Sequence, residues 1–225
     1  MALRQIVKHG VLALSAAILV VPGCTINSPD PIPTDRPGVD NRDRISTPSP
    51  TPSSRWQGLN AECPTIDEKL PGLPGIVGPG VANDDYSDNR RRLIASCNWK
   101  GSGTLEPLLI SSVTVYRMSA STTVEELAAD AFDLARQDAR NLARSASDWH
   151  TPPEDLTGLG DGAFLTIHLA EMAIRLVARS ENAKVSITIL LKAPVQPDLA
   201  RRLELLRAQR SNIVAAAEDI LDDLR

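Results

Sequence analysis

The residues that could do chemistry are few. Beyond residue 24 the chain holds two cysteines, Cys63 and Cys97, and two histidines, His150 and His168. Two cysteines that far apart form either a disulfide or part of a metal or redox site. With no C-x-x-C spacing and no adjacent histidine, the metal or redox alternative is poor. His168 shares a strand register with Phe164 and Thr166, which favours a packed or surface imidazole over a general base. His150 follows Asp148 and Trp149 ahead of Pro152, in a loop where it could serve a binding surface. Gly158-Leu159-Gly160-Asp161-Gly162-Ala163 matches G-x-G-x-x-A. A dinucleotide site needs a strand before that motif and a helix after it. Here prolines precede and a β pattern follows, so the glycines are expected to make a tight strand entry, with Asp161 accepting from turn amides. Asn83 to Asn89 is acidic but lacks the glycine of a calcium loop, and Ala95 stands at the position of its terminal Glu. It is expected to be a solvated loop, with Arg90-Arg91-Arg92 available to pair with it. There is no G-x-S-x-G, H-E-x-x-H or P-loop. No catalytic residue, metal or cofactor is assigned.

The third cysteine has a different setting. Arg4 and Lys8 precede an apolar run from Val11 to Val21, then Pro22, Gly23 and Cys24. Eleven helical residues span roughly 16 Å, about half a bilayer core, which suits a signal peptide rather than a transmembrane helix. Val21-Pro22-Gly23-Cys24 resembles the lipobox of bacterial lipoproteins, with Pro22 departing from the usual residue. The resemblance implies cleavage of residues 1–23, diacylglyceryl transfer to the Cys24 sulfur and a lipid anchor on the extracytoplasmic face of the cell membrane. Two acyl chains suffice for stable anchoring where one does not. Export also places Cys63 and Cys97 in an oxidising compartment, where an even pair is expected to bridge. The bridge would close a loop of about 35 residues, worth roughly 3–4 kcal/mol.

From Thr25 to Arg55 there are seven prolines and nine Ser/Thr in 31 residues. Such a stretch buries too little apolar surface to offset ordering entropy, so residues 24–55 are read as the lipidated cysteine and a tether. Extended as polyproline II it would reach roughly 95 Å, and as flexible coil roughly 30 Å. Residues 56–225 are globular in composition and sized for one core.

Within that domain Leu93–Trp99 reads as a strand, and a second has its best alternation from Leu109 to Tyr116. Thr122 and Glu125 fit a capping box opening a helix to about Ala146. Val124, Leu127, Ala128, Ala131, Leu134, Ala135 and Leu142 form its apolar stripe. Arg136, Arg140 and Arg144 lie on another face, interleaved with Asp133 and Asp138, as solvated faces usually are. Residues 163–169, 173–179 and 184–191 read as strands, with Ser180-Glu181-Asn182-Ala183 the hairpin turn between the last two. Pro197 opens a last amphipathic helix to Leu224, whose stripe is interrupted at Arg210. With a short helix between Cys63 and Leu70, the expectation is an α+β fold: an antiparallel sheet of about five strands packed against two long helices.

Cys97-Asn98-Trp99, the upstream Cys63, the Gly158–Ala163 segment and a final Ala/Ile/Leu-rich helix together look like the actinobacterial lipoproteins of a domain-of-unknown-function family. They are more distantly similar to extracellular sensor domains of actinobacterial serine/threonine kinases. The likeness covers residues 56–225. It implies a lipobox, a Pro/Ser/Thr tether, a cysteine bridge and an α/β sandwich of PsbP type, and it brings no catalytic residues. The long Pro/Gly insertion after Cys63 departs from the pattern.

Composition excludes one class of partner. The chain has 24 basic against 28 acidic residues, a net charge of -4, and only 3% aromatics. Nucleic-acid binders carry a clustered basic surplus and stacking platforms. Loss of residues 1–23 removes Arg4 and Lys8 and no acid, making the remainder more acidic. The expected contacts are therefore the membrane, through the N-terminal diacylglycerol, and an envelope ligand or partner protein. The candidate binding surface comprises Trp99, Trp149 and His150. The leading reading is a non-enzymatic binding or sensor module. A structural or assembly lipoprotein acting through protein contacts is the alternative, with an envelope hydrolase behind it.

Overall fold

A computed structural model describes residues 55–67, 70–193 and 197–225. The signal segment, Cys24 and nearly all of the tether lie outside the described residues. In chain order the elements are β1 (Thr65–Ile66), β2 (Gly78–Pro79), β3 (Val81–Ala82), β4 (Ser87–Asp88), β5 (Arg92–Lys100), β6 (Leu108–Tyr116), α1 (Val124–Ser145), β7 (Glu154–Leu156), β8 (Gly162–His168), β9 (Ala173–Ser180), β10 (Ala183–Leu190), α2 (Leu199–Arg207) and α3 (Arg210–Asp222).

The fold is α+β. Its main sheet has eight strands in the order β3-β5-β6-β10-β9-β8-β7, with β4 also paired to β5, and every pairing is antiparallel. The five long strands are the five expected from sequence. The three added members, β3, β4 and β7, have two or three residues each. α1 connects the β5–β6 hairpin to the β7–β10 meander, and β10 returns to pair with β6 in the centre.

Period-2 alternation assigns every side chain of the long strands to one of two faces. Leu93, Ala95, Cys97 and Trp99 of β5 point the same way as Leu109 and Val113 of β6 and Val185, Ile187 and Ile189 of β10. All are buried. Leu206 of α2 and Ile213, Ala216, Ala217 and Ile220 of α3 close over that face and complete the main core. The other face is thinly covered. α1 lies across β6, β10 and β9 and seats Phe132 edge-on against Phe164, with ring centroids 5.4 Å apart, beside Val177.

Three expectations change. The single last helix is two: it breaks at Ala208 and Gln209, where Asn212 donates to the Gln209 Oε1 at 2.7 Å and to the Pro71 carbonyl at 2.6 Å. The buried amide of Asn212 thus fastens the 71–73 turn to the start of α3. No short helix starts at Cys63. Instead β1 pairs with β2, and the Asp223 carboxylate accepts from the Thr65 N–H at 2.6 Å. The α1 capping box is shifted by one residue, to Thr123 and Glu126. Its buried residues are Val124, Ala128, Phe132 and Ala143, so Leu134 and Leu142 of the expected stripe stand at 60% and 42% exposure.

Candidate functional site

Cys63 and Cys97 are joined by a disulfide, with Cα atoms 5.9 Å apart. Both are buried, and the bridge fixes the loop segment carrying β1 to the inner face of β5. The role is structural. Trp99 is structural too, which corrects its assignment to a binding surface. It is 4% exposed, because alternation along β5 gives it the parity of Leu93 and Cys97. Its indole N–H donates to the Gly78 carbonyl at 2.9 Å. A Cβ at Gly80 would come within 2.6 Å of the ring, so only glycine allows the backbone to lie against it.

Trp149 and His150 are placed differently. Trp149 is 43% exposed just past the end of α1. Its carbonyl accepts from the Leu169 N–H at 2.8 Å, and His150 bridges to His168. The two imidazoles meet edge-to-face at 4.7 Å between centroids. The two histidines flank the end of one strand, which brings them together although they are far apart in sequence. Burial, and then the neighbouring His150, lowers the His168 pKa below the ordinary imidazole value. His168 Nε2 lies 3.2 Å from the Thr166 hydroxyl, but Thr166 is 3% exposed, so that hydroxyl is not presented to a substrate. No carboxylate hydrogen-bonds to either imidazole among the described residues. Trp99 and Trp149 mark the same end of the sheet, but β5 and β8 are four strand spacings apart, about 19 Å. They do not form one surface.

Between them, at that end of the sheet, lies a cavity of about 650 Å³. Leu108, Leu190, Leu191 and Met172 form its apolar wall, and Lys100, Glu106, Glu171 and Lys192 stand around it. Lys192 and Glu106 pair at 3.1 Å. This is the size range of small-molecule sites, with an apolar lining and few polar groups.

A second cleft of about 230 Å³ runs beneath one flank of α1, over the thinly covered face. Leu134 and Leu142 line its helix side, and Arg175, Lys184 and His168 its sheet side. Burial, with Arg175 nearby, lowers the Lys184 pKa. The opposite flank of α1 carries Arg136, Arg140 and Arg144. Arg136 pairs with Asp155 of β7 rather than with an acid on its own helix, and Arg144 donates to Asn141 at 2.5 Å. Arg117, not the Arg90–Arg92 run, pairs with Asp88 in the acidic loop, and Asn89 accepts from the Arg91 and Arg92 amides. Among the described residues no cluster of His, Cys, Asp and Glu could hold a metal ion.

The glycine segment makes the strand entry expected of it. A Cβ at Gly160, where φ is +56°, would overlap the Arg179 carbonyl oxygen. The Asp161 carboxylate accepts from the Glu181 N–H at 2.6 Å, an amide of the β9–β10 turn. No protein-family model, curated protein or solved structure matches the chain.

Proposed function

We propose that the protein is a lipoprotein anchored through Cys24 to the extracytoplasmic face of the cell membrane, and that its folded unit is a non-enzymatic binding or sensor module. The single observation that carries the binding reading is the 650 Å³ apolar cavity at the sheet end. The anchor reading is supported by the lipobox-like Val21–Cys24 and the Pro/Ser/Thr-rich stretch behind it. A buried disulfide accords with export, because such bonds persist in oxidising compartments. The resemblance to lipoproteins of a domain-of-unknown-function family points the same way.

The test is native mass spectrometry of the full chain extracted from its own envelope, compared with Leu108→Arg, which puts a cation into the cavity wall. The expected result is a co-purifying small molecule in the parent and its loss in the variant, with little change in melting temperature. A ligand-free parent, or one whose ligand survives Leu108→Arg, sinks the assignment of this cavity.

A further inference from the structure

The thinly covered sheet face holds an arrangement that folding alone disfavours. The two-residue turn at Glu181 and Asn182 sets the β9–β10 register and places Lys184 directly opposite Arg179. Like charges directly opposite on adjacent strands are destabilising. Arg175, two residues before Val177 on the same face of β9, adds a third cation. Its Nε donates to the Ser186 Oγ at 3.1 Å, which turns the guanidinium along the strands toward Lys184. Arg175, Arg179 and Lys184 make no ion pair among the described residues. The one carboxylate lining the cleft, Asp138 of α1, reaches neither Arg175 nor Lys184. Arg179 and Lys184 are half-buried while Arg175 is exposed, and a half-buried cation without a counter-ion carries a desolvation cost. Their Ser186 neighbour supplies a hydroxyl and no charge.

The other wall of the same cleft is apolar. Leu134 and Leu142 project from α1 beside Ala131 and Ala135, and they are exposed because the helix seats on Phe132 instead. A cleft with an apolar wall facing an uncompensated cationic floor matches a molecule of the same two-sided character.

We propose that the cleft between α1 and the sheet binds an anionic amphiphile, its carboxylate or phosphate head on Arg175 and Lys184 and its acyl chain along Leu134 and Leu142. The free guanidinium edge of Arg175 offers a planar fork for the two oxygens of such a head, and Lys184 a point charge. The site is distinct from the sheet-end cavity and does not rest on that cavity having an occupant.

The experiment uses the full chain carrying Cys24→Ala, so that no acyl chain of the protein itself enters the assay. Isothermal titration is run with decyl phosphate, decanol and inorganic phosphate, the amphiphile below its micelle concentration. Decyl phosphate is expected to bind one to one, and inorganic phosphate and decanol at least about tenfold more weakly, since each supplies half of the contacts. Arg175→Gln and Lys184→Gln should each weaken decyl phosphate about tenfold or more. Leu134→Ser with Leu142→Ser, both surface changes that leave the core intact, should weaken it about fivefold or more. Absence of saturable decyl phosphate binding overturns the proposal. So does binding that the cation variants leave unchanged. Inorganic phosphate binding as tightly as decyl phosphate would reduce the site to a simple anion site, and equal binding of decanol to an apolar groove; either result refutes the amphiphile assignment.

Discussion

Removal of the Cys63–Cys97 bridge is the perturbation whose magnitude follows most directly from the structure. The bond spans a sequence separation of 34, and the closed segment holds β1 to β4 and the Gly/Pro-rich turns. Confining a loop of about 35 residues in the unfolded chain is worth about 3.8 kcal/mol at 25 °C on the chain-entropy account. Beyond the bridge the segment is tied by buried Ile66, Leu70, Leu73 and Ile76, by the Thr65–Asp223, Asp67–Asp219, Trp99–Gly78 and Asn212–Pro71 bonds, and by the short β3 and β4 pairings. These ties keep the native fold in place without the bond, so the cost falls on the freed unfolded chain. For a domain of this size each kcal/mol moves the midpoint by about 2–4 °C, so the double substitution Cys63→Ala and Cys97→Ala should lower the melting temperature by about 10 °C. The assay is calorimetry of parent and variant, with the parent also scanned after reduction. Reduction should reproduce most of the shift, because it breaks the bond and leaves both side chains in place. A shift below about 2 °C in both would refute the reasoning, since it would mean that the 63–97 segment is held equally well by its backbone pairings alone.

Cys24→Ala in the native host should release the protein from the membrane fraction into the soluble envelope fraction or medium; retention in the membrane would refute the anchor. Gly160→Ala should destabilise by about 1–3 kcal/mol, because the side chain both meets the Arg179 carbonyl and disfavours φ of +56°. Gly158→Ala, with φ +83° but open space around it, should cost less in the same denaturation assay. The folded His168 pKa is depressed below the unfolded value of about 6.5, so below that pH the unfolded chain binds more protons. Its stabilising contribution is complete above about pH 6.5 and is lost as pH falls toward the folded pKa. His168→Gln should flatten the melting-temperature profile between pH 7.5 and 5; parallel profiles would show that His168 does not carry that dependence. Gly80→Ala should push Trp99 out of its packed position, read as a red shift in tryptophan emission together with lowered stability.

Much of the fold was legible because β alternation is a two-state signal. Leu109–Tyr116 alternates cleanly, Leu93–Trp99 and the three later apolar, β-branched runs read as strands, and each became a long strand. Strands of two or three residues carry no period, and β2 includes a proline, so β1 to β4 and β7 left no readable trace. The α1 stripe misled for a different reason. Leu134 and Leu142 are as apolar as any core residue, but an apolar side chain need not be buried. Phe132, with more surface to bury, decided which face of the helix docks. Trp99 could have been placed inward by parity with Leu93 and Cys97; reading it as a surface residue overlooked that count. Lys184 facing Arg179 was likewise implicit in the two-residue hairpin turn. The path of α1 over them was not, because the connection from Tyr116 to Val124 does not specify a crossing direction.

The two faces of the sheet divide the demands on this chain. The α2–α3 face carries the dense core: rows of buried aliphatics, a bridged cysteine pair, and buried Asn182 whose amide nitrogen donates to the Tyr116 and Trp56 carbonyls at 2.7 and 2.8 Å. The α1 face brings several local departures together. It sets a lysine opposite an arginine, leaves both without carboxylates, exposes two leucines on the covering helix, and lowers the pKa of Lys184 by burial. In natural proteins departures from local consistency gather at functional sites, where the rest of the structure compensates for them. The dense core opposite, with the disulfide pinned to its strand β5, supplies that compensation. Repairing the face by Lys184→Glu, which would pair with Arg179, is therefore expected to raise the melting temperature while abolishing decyl phosphate binding. Stabilisation with binding intact would separate the charge arrangement from function.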